Sequence, residues 1–164
     1  MERNIDTNGD GVSATLAQGA EVCNIGRFVY QIENEWIHQP TVTTCPAGTT
    51  DEYHIDATQG QSRVVATDQN TGDQLFGQNT GTLCIDFSSF PTLPFPFTAS
   101  GKSTTIGGTG KYTGATGSAD FKVVGSYLQF GFKGGTGAFG GFGQDTWIAD
   151  GTLTLPKGGK DTED

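Results

Sequence analysis

The chain has 164 residues, with 26 glycines, 11 phenylalanines and a formal net charge of −9. That length suits one domain with one core, and the surplus of Gly, Thr and Phe over helix formers points to an all-β protein rich in turns. The acidic balance argues against nucleic acid or anionic lipid as a partner, because little here would neutralise phosphates, and no apolar run is long enough for a membrane span or a signal-peptide core.

Residues 1–22 show no clear period of two and read as a polar, flexible leader. Within them Asp6-Thr7-Asn8-Gly9-Asp10-Gly11 matches the first half of a calcium loop, with Asp6, Asn8 and Asp10 as alternating oxygen donors. The twelfth position is Ala17 where such a loop needs a bidentate Glu, so a flexible leader is the first reading and a calcium site the weaker alternative. The domain proper is expected over 23–156, with a charged tail at 157–164.

Residues 26–36 alternate: Phe28, Tyr30, Ile32 and Trp36 share one face, and Val29, Gln31, Glu33 and Glu35 the other. A loop with Pro40, Pro46 and Gly48 follows. Further strands are expected at 52–57, 61–69 and 81–88, with a turn at 70–73 between 61–69 and Gln74-Leu75-Phe76. Pro91, Pro94 and Pro96 predict a stiff, partly exposed loop over 89–97. Strands resume at about 98–106, 118–124, 126–133 and 145–155, giving about eight in all.

Between them lies Ile106–Phe121, with five glycines from Gly107 to Gly117. It lacks the Gly-Lys-Ser/Thr ending of a phosphate loop. It reads as a tight corner between strands anchored by Tyr112, its one large side chain. Gly134–Gly143 repeats the Gly-Gly-Thr-Gly-x-aromatic pattern. Two such corners suggest a sheet that bends sharply and closes on itself. The predicted fold is a closed antiparallel β-barrel of about eight strands with an apolar lumen.

Three segments resemble the allene oxide cyclase-like barrels, relatives of dirigent proteins and of bacterial polyketide spirocyclases. They are Tyr30-Gln31-Ile32-Glu33-Asn34-Glu35 with Pro40 ten residues after the tyrosine, Gly72-Asp73 with Gly77 and Gly81-Thr82-Leu83-Cys84, and the glycine corner from Ile106 to Gly117. In the plant enzymes a glutamate on the first strand assists epoxide opening. An asparagine, a serine and a proline hold a water, and a cysteine lies near the fatty-acid chain. The resemblance puts Gln31 at the glutamate position, Glu33 at the asparagine, Gln39 at the serine, and matches Pro40 and Cys84. An amide cannot supply negative charge, so Glu33 or Asp86, which shares a face with Cys84, becomes the candidate carboxylate.

The implied function is a cofactor-independent cyclase or isomerase acting on a hydrophobic small molecule in the lumen, with Glu33, Asp86 and Gln31 catalytic. Tyr30, Gln39, Pro40, Cys84, Phe130, Phe132 and Trp147 would contact the substrate. The alternative is a non-catalytic binding protein for an apolar ligand, and a third reading is a filled barrel with no cavity. Gln31, Glu33 and Glu35 fit equally well as a wet outer face, and the aromatic residues fit equally well as core. Cys23, Cys45 and Cys84 make an odd count. Cys23–Cys45 is the first choice for a disulfide, Cys45–Cys84 the alternative, and Cys84 alternatively a buried inert thiol. His38 and His54 lack metal-site spacing. The expectation is a secreted or periplasmic protein whose leader is absent from this chain, with no nucleic-acid or membrane partner; dimer or trimer formation is left open.

Overall fold

A computed structural model of the chain describes residues 2–6, 12–23, 25–56, 61–132 and 139–156. Among these residues nine strands form one antiparallel sheet: β1 (Glu2–Asp6), β2 (Val12–Cys23), β3 (Gly26–His38), β4 (Asp51–Ile55), β5 (Ser62–Asp68), β6 (Gln74–Ile85), β7 (Phe95–Gly108), β8 (Thr116–Phe132) and β9 (Phe139–Thr154). A single 3-10 turn, Gly110–Tyr112, joins β7 to β8.

The neighbours run β2-β1-β9-β8-β7-β6-β4-β3-β5, with further pairings β2–β3 and β5–β6. β4 and β5 share one lane between β3 and β6. β5 pairs with Phe28–Asn34 at one end of β3, and β4 pairs with Ile37 and His38 at the other. Both then pair with β6, β5 through Gln74–Gly77 and β4 through Gly81–Ile85.

The N-terminal segment differs from expectation. Residues 2–6 and 12–23 are strands of the sheet rather than a leader outside it: β2 pairs along the whole of β3, and β1 bridges β2 and β9. The strand expected at 81–88 starts earlier and ends earlier: Gln74–Ile85 is one strand with a register shift at Phe76/Gly77. Likewise 118–124 and 126–133 merge into β8, with a shift at Tyr127/Gln129. The proline loop ends earlier than predicted. β7 starts at Phe95, whose ring is buried, and Pro96 is tolerated because pairing with β6 begins only at Phe97. The first half of the second glycine run, 134–138, lies outside the described residues, as do Asn8, Asp10 and the tail 157–164; Phe139–Gly143 belong to β9.

One face of the sheet carries the core, in two clusters. The larger joins Trp36, Tyr53, Leu83, Ile85, Phe95, Phe97, Phe121, Val123 and Tyr127, with Phe87 and Trp147 against it. Phe87 meets Phe95 edge-on at 5.1 Å between ring centroids, so the proline loop packs over that end. The smaller joins Phe28, Tyr112 and Ala115, with Ala66, Leu75 and Leu153. The glycine corner supplies this second cluster. Gly110 takes φ +51, and a Cβ there would run into the Asp73 carboxylate, so only glycine lets the turn lay Tyr112 onto Phe28 at 5.8 Å.

Candidate functional site

Between the two clusters lies a cavity of about 530 Å³. Tyr30 and Ile32 of β3 and Val64 and Ala66 of β5 form one wall. Asn79 of β6, Ser103 of β7 and Phe121 of β8 continue it, and Asp145, Trp147 and Ala149 of β9 complete it. The rings gather on one side. Phe121 stacks on Trp147 with centroids 5.1 Å apart, and Tyr30 tilts against Trp147 at 6.3 Å. Room for Phe121 comes from Gly81, which lies opposite Gly101 of β7. A Cβ on Gly81 would strike the Ser100 carbonyl and come within 3.2 Å of the Phe121 ring.

The cavity is not wholly apolar. Asn79 is 1% exposed, yet neither Oδ1 nor Nδ2 of its side chain has a hydrogen-bond partner among the described residues. Asp145 Oδ2 and Trp147 Nε1 are buried and unpartnered in the same sense. Trp36 Nε1 is also unpartnered, but Trp36 does not line the cavity. A buried amide left unpaired costs free energy, and nearly all buried polar groups in folded proteins find partners. Three of the four side chains with such atoms among the described residues border this one cavity.

The floor beneath Asn79 is fixed. Its backbone N–H donates to Ser62 Oγ at 2.8 Å, and Ser62 Oγ donates to Asn34 Oδ1 at 2.8 Å. Ser62 and Asn34 are buried. This chain across β3, β5 and β6 holds the three strands in register and leaves the Asn79 side chain as the free end.

The residues singled out from the sequence fall on both sides of the sheet. Tyr30 and Trp147 line the cavity. Gln31 and Glu33 do not: on β3 the buried set is Phe28, Ile32, Asn34 and Trp36, so period-two alternation turns Gln31 and Glu33 outward, and both are exposed. The same parity puts Cys84 on the outer side of β6, since Leu83 and Ile85 are buried. Cys84 is bonded to Cys45, so it is not a buried free thiol, it is not among the residues lining the cavity, and the first choice of Cys23–Cys45 is replaced by the alternative pair. Asp86 lies beyond the end of β6, where its carboxylate accepts from Ser88 N at 2.8 Å. The hydroxyl and N–H of Ser88 hold its pKa below the ordinary value. Gln39 and Pro40 lie in the loop after β3, where Gln39 Nε2 donates to the Ile37 carbonyl at 2.9 Å. Phe130 and Phe132 belong to β8, with side chains outside the described residues; Asp6 ends β1.

Two further buried acids went unnoticed in the sequence, and both are fully engaged. Glu52 lies under the loop 39–50 on the outer side of the sheet, opposite Cys84 in the ladder. Its Oε2 accepts from Thr43 N at 2.7 Å and Thr44 N at 2.9 Å, and its Oε1 accepts from Thr44 Oγ1 at 2.8 Å and lies 2.7 Å from His54 Nε2. The Thr44 N–H above all, with the neighbouring donors, holds this carboxyl far below the usual carboxylate range. Asp68, 1% exposed, receives Lys111 Nζ at 2.7 Å, Tyr112 Oη at 2.9 Å and Asn70 N at 2.8 Å. Lys111 first, then Asn70 and Tyr112, lower its pKa to about 2. The Tyr112 phenol is pushed up, chiefly by burial. No group of three or more His, Cys, Asp and Glu suited to a metal occurs among the described residues.

Among the described residues no helix is long and apolar enough to cross a membrane, and the Cys45–Cys84 disulfide is compatible with an extracellular or periplasmic location. Compared with models of known protein families, with curated proteins and with solved structures, the chain gives no match.

Proposed function

We propose that the sheet closes into a barrel of eight lanes and that its lumen binds a small, largely apolar molecule in an extracytoplasmic compartment. Support for closure comes from the ladder. From Ile32 in one direction the partners are Ala17, Glu2 and Gly143; in the other they are Val64, Gly77, Thr105, Gly117 and Leu153. The two routes meet on β9 ten residues apart, from Gly143 to Leu153. Such a stagger is what a tilted closed barrel requires, and eight strands enclose space for side chains or one small ligand. Spread over eight lanes, the stagger brings Asn79, Phe121 and Trp147 to about the level of Ile32, so they form one belt around the cavity.

The observation that carries the reading is the cavity itself: about 530 Å³, within the range of small-molecule sites, with rings on one side and a few unpaired polar atoms. A second reading, a cofactor-independent cyclase or isomerase like the allene oxide cyclase-type barrels, is favoured by one feature. A carboxylate oxygen, Asp145 Oδ2, is buried at the cavity, where it is placed to accept a proton or face a developing positive charge. Asp145 takes the role that the resemblance gave to Glu33.

Mass spectrometry of compounds retained by the purified protein tests both. A compound is expected to be released from the native chain and to be missing from Ala66→Trp, which fills the cavity. If nothing is retained and Ala66→Trp changes nothing, the binding reading fails. If the compound is returned chemically changed by the native chain, but unchanged by Asp145→Asn, the protein is an enzyme; unchanged by both, it is a binder.

A further inference from the structure

We propose that the lumen selects a ligand carrying an uncharged amide or lactam edge on an apolar, ring-sized body, with Asn79 pairing that edge. This rests on the binding reading above and names the ligand class of the same cavity.

The argument starts from what the unpaired atoms require. A carboxamide side chain with both ends free asks for a partner that donates and accepts on adjacent atoms. Asn79 is buried with both Oδ1 and Nδ2 unpartnered among the described residues, and it lines the cavity. Its backbone is held by Ser62, so the side chain is presented from a fixed strand rather than a mobile loop. Primary amides, secondary amides in the cis form and lactams offer the complementary N–H and C=O side by side. Trp147 Nε1 adds one more donor and Asp145 Oδ2 one more acceptor on the β9 wall.

Competing ligand classes fit less well. A carboxylate would satisfy Asn79 Nδ2 and Trp147 Nε1 but leave Asn79 Oδ1 unpaired and face Asp145, in a chain of net charge −9. A cationic amine would suit Asp145 but turn its charge toward two N–H donors. A hydrocarbon would leave all of these atoms unpaired. Water can occupy a polar cavity of this size in the ligand-free protein, so a ligand must reproduce the hydrogen bonds it displaces. The amide edge does so. Tyr30, Phe121 and Trp147 then offer ring faces for the rest of the molecule.

The probes are naphthalene-2-carboxamide, 2-ethylnaphthalene as a hydrocarbon of similar size, and 2-naphthoate, each measured by equilibrium dialysis against the full chain. The amide is expected to bind at least about tenfold more tightly than either of the others, since a site built to hydrogen-bond rejects analogues that leave it unpaired. Asn79→Leu should erase that preference while keeping the hydrocarbon's affinity. Trp147→Phe, which removes only the indole N–H from the polar set, should narrow it. Equal binding of amide and hydrocarbon, tighter binding of naphthoate, or a preference that survives Asn79→Leu would overturn this inference and leave the cavity as an apolar binding site. Binding of none of the three, with no compound retained by the purified protein, would remove the binding reading as well.

Discussion

Asp68 and Asn79 are buried to the same degree, each 1% exposed, yet they stand in opposite situations. Asp68 sits where the glycine corner closes one end of the sheet, and three donors converge on it. Asn79 sits at mid-sheet on the cavity wall, and its side-chain oxygen and nitrogen find no hydrogen-bond partner among the described residues. Glu52 belongs with Asp68: it is buried beneath a loop and fully paired. Buried polarity alone therefore does not mark a site in this protein. The difference lies in whether the fold itself completes the hydrogen bonds. At Asp68 and Glu52 it does, and the polar group fixes a turn or a loop; at Asn79 it does not, and the group borders the cavity.

The comparison breaks most severely at Tyr112, the ring through which the corner reaches Asp68. Tyr112→Ala removes a fully buried ring, and large-to-small substitutions of aromatic core residues cost about 3–5 kcal/mol. Denaturant unfolding should show a loss of that size. A midpoint unchanged from the native chain would mean that the corner is not anchored by this side chain.

Acid should act on the paired groups next. Asp68 has its pKa lowered from 3.8 to about 2, and Glu52 lies lower still. A carboxyl depressed in the folded state contributes stability that is fully present above its unfolded value and is lost as pH falls through the folded value. Stability should hold from neutrality to about pH 5, then decline between about pH 4 and pH 2. Asp68→Asn removes one of the titrating groups, so its stability should fall less steeply over that interval when followed by circular dichroism. The same slope in native and variant chains would count against the Asp68–Lys111–Tyr112 cluster as its source.

Much of the wall was readable from the sequence and little of the cavity's polar side. The alternation of β3 gave the buried set Phe28, Ile32 and Trp36, and the lone tyrosine among the glycines gave the corner's anchor. The resemblance then argued for turning Gln31 and Glu33 inward, against that alternation, and the alternation prevails. Asn34 broke the apolar pattern because its partner, Ser62, is 28 residues away and belongs to another strand. The disulfide was not decidable, since the loop 39–50 folds over the outer side of β6, a placement set by Glu52 beneath it. β1 and β2 lack large alternating side chains, so their place in the sheet comes from pairing with neighbours that the sequence does not name. Asn79 and Asp145 did leave a signal. Asn79 has the parity of Leu83 and Ile85 on one strand, and Asp145 that of Trp147 on another. Carrying that parity back across the polar residues between them would have placed both on the inner face.

The smallest effect is the most pointed, because its sign is reversed. Truncating a paired buried group destabilises, whereas replacing an unpaired one by an apolar side chain of suitable shape removes a desolvation cost of about 1–3 kcal/mol. Asn79→Leu keeps the backbone N–H that donates to Ser62, and its two methyl groups take the places of Oδ1 and Nδ2 in a side chain of nearly the same shape. Water in the cavity already recovers part of that cost in the native chain, so the expected gain for the ligand-free protein is about 1 kcal/mol. Thermal unfolding after extraction of retained compounds would read it. A loss of stability instead would mean that Asn79 is held by partners within the protein, and the contrast with Asp68 would disappear.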